Sequence, residues 1–570
     1  MTLLLPHSID QIDVRDWESY RPFFDELLAR PLTPDTQRQW IEDWSELTKL
    51  CREAIQYHYV QKTLDTTDPV RERLYLDLVE HVVPQLQIAD QALKQRLLTL
   101  EIDDADMALM LRNLRSEVEL FRAENVPLDM EVTKLRAEYD KVVGGLSAEF
   151  NGESCNLNQL DAYVGSSDRE TRQAAWHTLM GAWQSVREPI NDIFAQMLRK
   201  RVQIAANAGL NDYRDFAFRE RRRFAYGPKE CFQFHDAIEA AFVPAAQRIM
   251  ESRRVKLGYE TLKPWDWVPE ISKVVSVQPP LEPFETEDEL IRHSLQMFNA
   301  LDPELGHHFA TMADEGLLDL MTRHGKAMGG YCSSLPMRQR PFIFMNGVGS
   351  ARNVQTLLHE AGHAFHGFEA MKTQPLVWMQ RAPMEFNEVA SMAMELLASP
   401  YLTADKGGFY DEAQAAQHRR QHLEKTILFM PFMAVVDSFQ HWLYTHVDEA
   451  RDSANLDAKW DELWQRFLPG VDWTGYEEIR ASGWHRKLHI FRYPFYYIEY
   501  GMAQMGAVQV WRNSMTDHGG ALQSYREALA LGGTKTLPQL FQAAGAEFRF
   551  DTPFISGLVE LLEDSIAELS

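Results

Sequence analysis

The chain has 570 residues, of which 45% are hydrophobic and 25% are charged, and its formal net charge at pH 7 is −25. This composition is typical of a globular protein, and the negative charge disfavours DNA, RNA and anionic membranes as partners because all three are negative themselves. The longest apolar run, residues 427–436, contains Pro431 and is far shorter than the roughly 20 residues that span a membrane.

The cysteines and the N-terminus favour a cytoplasmic protein. The four cysteines are widely spaced and form no C-x-x-C pair, which predicts free thiols in a reducing compartment. Residues 1–10 lack a basic region followed by an apolar core, so no secretory signal is visible. The short basic run at residues 219–223 contains no aromatic residue, and we expect it to form a solvated or salt-bridged surface rather than a nucleic-acid site.

The N-terminal part of the chain predicts helices with recognisable starts. Thr33-Pro34 and Asp68-Pro69 each place a good N-cap residue before a proline at the first helical position. Ser167 to Glu170 predicts a capping box for a later helix. The first of these helices has a predicted buried stripe formed by Trp40, Trp44, Leu47 and Cys51.

Two breaks suggest how the chain is divided. Glycines at 144–145 and the Asn151-Gly152 pair indicate a boundary with a hairpin turn, so we predict an N-terminal helical domain at 1–150 and a larger domain at 151–570. Residues 263–283 contain five prolines and form a second break. The short apolar run Pro341–Asn346 predicts a strand.

The most informative segment is an H-E-x-x-H motif, His359-Glu360-Ala361-Gly362-His363. Residues four apart lie on one face of a helix, so both imidazoles can reach one metal ion. Glu360 projects about 100° further round the helix, where it can take a proton from a water at the metal. Apolar residues at helical spacing predict this helix, with Ser350 as its N-cap. Gly362 costs the helix roughly 1 kcal/mol, which indicates that a small residue is needed next to the metal.

A third ligand must come from elsewhere in the chain. Catalytic zinc usually has three protein ligands and one open position, and the metzincin extension is excluded because His366 stands where its glycine would be. Three acids, Glu385, Glu388 and Glu395, lie near one helical face among apolar neighbours. Burying them would be costly without a cation. Spacing alone leaves both Glu385 and Glu388 as candidates for the ligand.

A segment rich in aromatic residues follows at 489–501. Tyr493, Tyr497 and Tyr500 are spaced four and three apart, which predicts one helical stripe of hydroxyl groups. Taken alone, this pattern is typical of an aromatic core helix.

Together these motifs resemble the oligoendopeptidase F and thimet-oligopeptidase superfamily of zinc peptidases, and most closely the bacterial oligoendopeptidase F and Pz-peptidase branch. The resemblance extends from about residue 150 onward. It rests on four stretches: Gly329-Gly330-Tyr331-Cys332, Pro341–Asn346, the H-E-x-x-H motif and Phe386-x-Glu388-x-x-Ser391. It implies a mainly α fold with two helical lobes around a deep substrate channel and a small β-sheet next to the H-E-x-x-H helix.

The resemblance also implies the metal site. In the family, the residue at the position of Glu388 is the third ligand, so one Zn²⁺ per chain would be held by His359, His363 and Glu388. Glu360 would be the catalytic base. Either Glu385 or Glu395 would support a zinc ligand from outside the first coordination sphere.

Further roles follow for the aromatic segment. The family carries a His followed by three Tyr that face the zinc, and the gap between His489 and the first Tyr is one residue shorter here. The resemblance implies that Tyr500, assisted by Tyr493, donates to the oxyanion. His489 and Tyr497 would contact the substrate. A strand at the site would be an edge strand that pairs with the substrate backbone; a purely structural strand is the alternative.

The implied function is a zinc-dependent oligoendopeptidase that cuts internal bonds of short unfolded peptides, with 151–570 as its catalytic domain. One alternative is a zinc carboxypeptidase of related helical channel fold, which would need Arg486 or Arg492 to anchor the terminal carboxylate. Another is a non-catalytic peptide-binding protein. The intact Glu360 argues against the latter, because a merely structural metal site has no use for a base.

Overall fold

The computed structural model describes residues 4–271 and 273–569, and it is mainly helical as predicted. The helices of the first half are α1 (Arg21–Ala29), α2 (Gln37–Leu64), α3 (Pro69–Asp77), α4 (Val83–Leu97), α5 (Ala108–Leu120), α6 (Asn125–Gly144), α7 (Leu157–Val164), α8 (Arg169–Ser185), α9 (Arg187–Asn207), α10 (Tyr213–Glu220), α11 (Pro228–Ala237) and α12 (Val243–Lys256).

The helices of the second half include the one that carries the H-E-x-x-H motif. They are α13 (Glu287–Leu301), α14 (Pro303–Asp314), α15 (Ala351–Thr373), α16 (Met384–Leu397), α17 (Glu412–Thr445), α18 (Ser453–Phe467), α19 (Glu477–Ala481), α20 (Leu488–Arg492), α21 (Tyr497–Thr516), α22 (His518–Ala530), α23 (Leu537–Ala543) and α24 (Thr552–Glu568). No helix among the described residues is both long and apolar enough to cross a membrane.

The strands form three small sheets. They are β1 (Ser147–Phe150), β2 (Glu153–Asn156), β3 (Trp267–Val268), β4 (Lys273–Val274), β5 (Leu318–Met321), β6 (Tyr331–Leu335) and β7 (Arg340–Gly347). The pairs β1–β2 and β3–β4 are antiparallel, and the third sheet has the order β5-β7-β6. In it, β7 pairs parallel to β5 and antiparallel to β6. Strands β6 and β7 pack against α15, which confirms the predicted small sheet next to the motif helix.

Packing divides the chain into two compact units, each assembled from three segments. The first unit contains Met1–Val118, Pro280–His418 and Ala503–Phe548. The second contains Glu119–Pro279, Arg419–Met502 and Arg549–Ser570. The division into domains at 1–150 and 151–570 stays a prediction.

Most local signals at the N-terminal helices are confirmed. All four residues of the predicted stripe on α2 are buried, and Trp40, Trp44 and Leu47 are fully so. Asp68 caps α3 by accepting from two backbone N–H groups. The Asn151-Gly152 turn joins β1 to β2, and both residues have positive φ, as a tight two-residue hairpin turn requires.

Two predicted helix starts are displaced. Helix α2 begins after Thr36 rather than Thr33, because Thr36 Oγ1 accepts from the backbone of Thr33 and closes a separate turn first. Helix α8 is capped by Asp168, which accepts from the backbone N–H of Thr171, and not by Ser167. Aspartate and serine are comparable N-cap residues, so the sequence alone could not decide whether Ser167 or Asp168 caps α8.

Candidate metal centre

Helix α15 presents both histidines of the motif on one face. It begins after Ser350, the predicted N-cap, and Asn353 Oδ1 accepts from the Ser350 backbone at 3.1 Å. Two turns later the ring centroids of His359 and His363 lie 4.9 Å apart. Helix α15 therefore delivers two ring nitrogens to one point, as the four-residue spacing predicts.

Helix α16 brings a carboxylate to the same point. Glu388 Oε2 lies 3.4 Å from His359 Nε2 and 3.6 Å from His363 Nε2. The three candidate ligand atoms all lie within 4.8 Å of one another. Ser391 Oγ, one turn further along α16, donates to Glu388 Oε2 at 3.0 Å. These groups could hold a metal ion, and they are the three residues that the resemblance implies.

Glu395 contacts His359 at Nδ1, the ring nitrogen that does not face Glu388. Its Oε1 lies 2.7 Å from His359 Nδ1, and its Oε2 accepts from Gln355 Nε2 at 2.6 Å. Because an ionised carboxylate only accepts, Nδ1 carries a proton and donates it to Glu395. Nε2 is then the ring nitrogen that faces Glu388 and that would lose its proton on binding a metal. The sequence leaves Glu385 and Glu395 as alternatives for this supporting position, and in the structure Glu395 contacts His359 Nδ1.

The site concentrates negative charge away from water. Glu360, Glu388 and Glu395 are 7%, 4% and 8% exposed, and burying three carboxylates costs free energy unless a cation neutralises them. Although burial opposes ionisation, the charge of His363 and a hydrogen bond from His359 hold the pKa of Glu388 at about 2. Two imidazoles and a carboxylate form a donor set of catalytic zinc, so these residues fit a divalent metal.

Glu360 is not one of the three candidate ligands, and its carboxyl group interacts electrostatically with His359 and Glu388. Burial raises its pKa to about 7; the charge of His359 opposes this rise, and the charges of Glu388 and Glu395 add to it. The backbone of Cys332 on β6 hydrogen-bonds to the Glu360 side chain. A carboxyl group that changes protonation near neutral pH suits general acid–base chemistry.

Helix packing gives a reason for the small residue at Gly362, and the expectation that the metal needs it stays a prediction. A Cβ atom at this position would lie 2.6 Å from the carbonyl oxygen of Ala390 and 2.6 Å from Cα of Ser391. Both are main-chain atoms of α16 and cannot rotate away. The glycine therefore lets α16 approach α15 closely enough for Glu388 to reach the two histidines.

Replacing Gly362 by Ala is expected to lower the free energy of unfolding by about 1–3 kcal/mol, the usual cost of overpacking. It should also weaken metal binding, because the shift of α16 carries Glu388 with it. Gly367 on the same helix is the matched control, since a Cβ there meets only Met371 Cε at 3.7 Å and Pro341 Cβ at 3.9 Å. Denaturant unfolding and a zinc competition titration of both variants test this. Wild-type stability and zinc affinity in Gly362→Ala would contradict it.

The predicted strand at Pro341–Asn346 is confirmed as β7, but β7 is not an edge strand. It lies in the middle of its sheet, hydrogen-bonded to β5 on one side and to β6 on the other. A substrate backbone cannot pair with a strand whose two sides are occupied. The edge strand beside Glu360 is β6, which follows the glycines at 329 and 330.

The three tyrosines do not form one helical stripe, so that prediction is wrong. Helix α20 ends one residue before Tyr493, and α21 begins at Tyr497. Pro494 lacks an N–H group and disfavours helical geometry at the residue before it, and Phe495 has a left-handed φ of 62°. Only Tyr497 and Tyr500 share a helical turn.

Arginines from the basic run hold this break. Arg223 donates to the carbonyl of Phe495 and, at 2.7 Å, to Glu499 Oε1, and Arg221 donates to the carbonyl of Pro494 at 2.9 Å. The Arg223 side chain is 0% exposed. The expectation of a surface is therefore wrong for Arg223, although the expected salt bridge is present. No sequence signal indicated this pairing, because 276 residues separate Arg223 from Glu499.

His489 and the tyrosines pack with one another in the second unit. The His489 ring centroid lies 4.8 Å from that of Tyr497 and 6.3 Å from that of Tyr500. Burial and the nearby charge of Lys487 lower the pKa of His489, so its ring is neutral. Tyr493 is 48% exposed, whereas Tyr497 is 6% exposed. The candidate metal ligands form their own group in the first unit.

Neither arginine considered as an anchor for a terminal carboxylate lacks a partner. Arg486 Nη2 lies 2.8 Å from Glu270 Oε1, and the Arg486 side chain is only 3% exposed. Arg492 Nη2 lies 2.6 Å from Asp140 Oδ2. Because both guanidinium groups are already neutralised, the structure offers no support for the carboxypeptidase alternative.

Comparison with known protein families matches residues 162–560 to Peptidase family M3. The oligopeptidase PepF of Bacillus subtilis is 25% identical over 279 residues, covering 48% of this chain and 40% of that relative. The chromosomal oligoendopeptidase F of Lactococcus lactis subsp. cremoris is 22% identical over 409 residues, covering 71% of this chain and 64% of that relative. The matched region thus spans less than two thirds of the length of either relative.

Solved structures are similar over nearly the whole chain. A structure of Pz peptidase A with an inhibitor superposes with a TM-score of 0.87 at 26% identity, covering 97% of each chain. Oligoendopeptidase F from Enterococcus faecium superposes with a TM-score of 0.63 at 15% identity, covering 98% of this chain and 96% of that one. The second likeness is one of fold alone.

Proposed function

We propose, because this chain belongs to Peptidase family M3, that it is a zinc-dependent oligoendopeptidase that hydrolyses internal bonds of short, unfolded peptides. The observation that carries the proposal is the convergence of His359, His363 and Glu388, with Glu360 near enough for the charges of His359 and Glu388 to shift its pKa. The relatives named as oligoendopeptidases support the choice of peptides as substrates.

His359, His363 and Glu388 would hold the zinc ion. When bound, zinc supplies a Lewis acid that polarises the scissile carbonyl and lowers the pKa of a water molecule toward neutrality. Glu395 fixes the protonation of Nδ1 and the orientation of His359 through the 2.7 Å contact with Nδ1, and Ser391 orients Glu388 by donating to its Oε2. The protein groups thus set the geometry of the site before a substrate arrives.

Glu360 takes the proton of the attacking water and later passes it to the leaving amine. Its burial suits both steps, because a carboxyl group with a raised pKa accepts a proton readily near neutral pH and holds it until the amine departs. The backbone hydrogen bond from Cys332 fixes the side chain while this transfer occurs.

Tyr500, assisted by Tyr493, would donate hydrogen bonds to the oxyanion that develops on the scissile carbonyl. His489 and Tyr497 would contact the substrate. These roles follow from the resemblance of the segment to the family pattern. They are compatible with the chemistry of the side chains, because a phenol is protonated and a donor at neutral pH.

Cleavage of a doubly blocked, internally quenched short peptide tests the function. The expected result is internal cleavage that a zinc chelator abolishes and added zinc restores, with the cut site read by mass spectrometry. The matched control is the same sequence with free ends. Trimming of that control without any cut in the blocked peptide would replace the proposal with an exopeptidase. Inertness toward both by zinc-loaded protein would leave a peptide-binding protein.

A further inference from the structure

A second cluster of metal-binding side-chain types is buried in the second unit. Helix α11 carries Cys231 and, four residues later, His235; helix α17 carries Asp437 and, four residues later, His441. Residues four apart lie on one face of a helix. Each helix therefore presents a pair of potential ligands, and the two pairs face each other.

The possible ligand atoms of this cluster lie within the same distance of one another as those of the candidate metal centre at the H-E-x-x-H motif. A Cys231 sulfur, an Asp437 carboxylate oxygen and a His441 ring nitrogen all lie within 4.8 Å of one another. His235 Nε2 lies 2.9 Å from Asp437 Oδ2, and His441 Nε2 lies 3.3 Å from the same oxygen. Cys231 and Asp437 are 0% exposed, and the two histidines are 2% exposed.

Two polar atoms in this cluster lack a hydrogen-bond partner. His441 Nδ1 and Asp437 Oδ1 are buried without a hydrogen bond within the part of the chain that the structure describes, and His441 Nε2 has the 3.3 Å ion-pair contact with Asp437 Oδ2. Leaving such atoms unsatisfied costs about 1–3 kcal/mol each. The two carboxylate oxygens of Asp437 differ: Oδ2 faces both imidazoles, and Oδ1 has no hydrogen bond and is available to another group.

A third cluster of possible ligands has its negative charge already neutralised by an arginine. It contains Glu304, His308 and Glu369 in the first unit, and its ligand atoms also lie within 4.8 Å of one another. There, Arg526 Nη2 lies 2.8 Å from Glu369 Oε1 and 3.2 Å from Glu304 Oε2, so a permanent cation is already present. Around Asp437 the ion-pair partners that the structure gives are the two imidazoles.

We propose that Cys231, Asp437 and His441 bind a second divalent metal ion, distinct from the one at the H-E-x-x-H motif. The mixture of sulfur, nitrogen and oxygen donors selects zinc among the common ions. On binding, the Cys231 thiol releases its proton to solvent, and the thiolate and carboxylate together neutralise the ion. His235 donates to Asp437 Oδ2 and positions the carboxylate. The ion ties α11 to α17 and so has a structural role.

Metal counting on the full-length protein tests this proposal. After zinc loading and removal of excess metal, elemental analysis should find two zinc ions per chain. The variant His359→Ala/His363→Ala should retain one, and adding Cys231→Ser should remove it. His308→Ala is the matched control, because it alters the cluster that Arg526 already neutralises, and it should keep both ions. One zinc ion in the wild type would overturn the proposal, as would an undiminished count after Cys231→Ser.

A second measurement needs no substitution in the cluster, so it tests the proposal even if such substitutions prevent folding. Cobalt loaded into the folded His359→Ala/His363→Ala variant should give a thiolate-to-cobalt charge-transfer band in the near ultraviolet, because the catalytic ligand set contains no sulfur. X-ray absorption of its zinc form should show a zinc–sulfur distance of about 2.3 Å. Bound metal with neither signal would refute the assignment of Cys231.

Discussion

Replacing Glu360 by Gln is expected to lower kcat/KM by at least about two orders of magnitude, the range of general-base catalysis, while the protein keeps its zinc. Glutamine has the shape of glutamate, and its side-chain oxygen can still accept from the backbone of Cys332. It cannot take a proton from water. The three candidate ligands do not include Glu360, so zinc binding should survive.

Rate and zinc content must be measured on the same preparation. Glu369→Gln is the matched control, because it makes the same change at another buried glutamate of α15 whose partner is Arg526. It should lower stability and leave the rate of the folded, zinc-loaded enzyme near that of the wild type. A near-wild-type rate in zinc-replete Glu360→Gln would rule out the proposed mechanism.

Replacing Tyr500 by Phe is expected to lower kcat about 100- to 1,000-fold, the usual cost of removing one oxyanion donor. The change deletes only the hydroxyl group, and the aromatic packing against His489 and Tyr497 remains. KM should change little, since an oxyanion donor acts mainly in the transition state. Full kinetic curves for the blocked peptide give both parameters.

Replacing Tyr493 or Tyr497 by Phe gives the comparison for Tyr500→Phe, because each of the three tyrosines has a different proposed role. The Tyr493 side chain is 48% exposed and lies in the break before α21, so it competes with water for the oxyanion, and Tyr493→Phe should lower kcat by a smaller factor. Tyr497→Phe should act mainly on KM, because Tyr497 is proposed to contact the substrate. A loss in Tyr500→Phe confined to KM would reassign Tyr500 to substrate binding.

Local features were predictable because they depend on neighbours in sequence. The helix at 351–373, its cap at Ser350 and the meeting of His359 with His363 all follow from spacing within one helix. The Asn151-Gly152 hairpin and the cap at Asp68 are equally local. Errors in this class were small, as when Asp168 rather than its neighbour Ser167 capped α8.

Features that depend on contacts between distant segments were not predictable. The reason for Gly362 became visible only when α16 was placed against α15, and the edge strand could be identified only from the sheet order. The spacing of the tyrosines predicted one continuous helix, whereas the structure has a helix break at Pro494. The arginines that stabilise this break lie more than 270 residues earlier in the chain, so no local pattern indicated it.

The sequence by itself determined the chemistry at the H-E-x-x-H motif, because a helix of 3.6 residues per turn places residues four apart on one face whatever surrounds it. It also offered a supporting carboxylate without choosing between Glu385 and Glu395. Tertiary structure alone decided that Glu395 contacts His359, and that Cys231 meets Asp437 and His441. Such meetings depend on how whole helices pack, and that packing is set by the sum of many apolar contacts rather than by any local pattern.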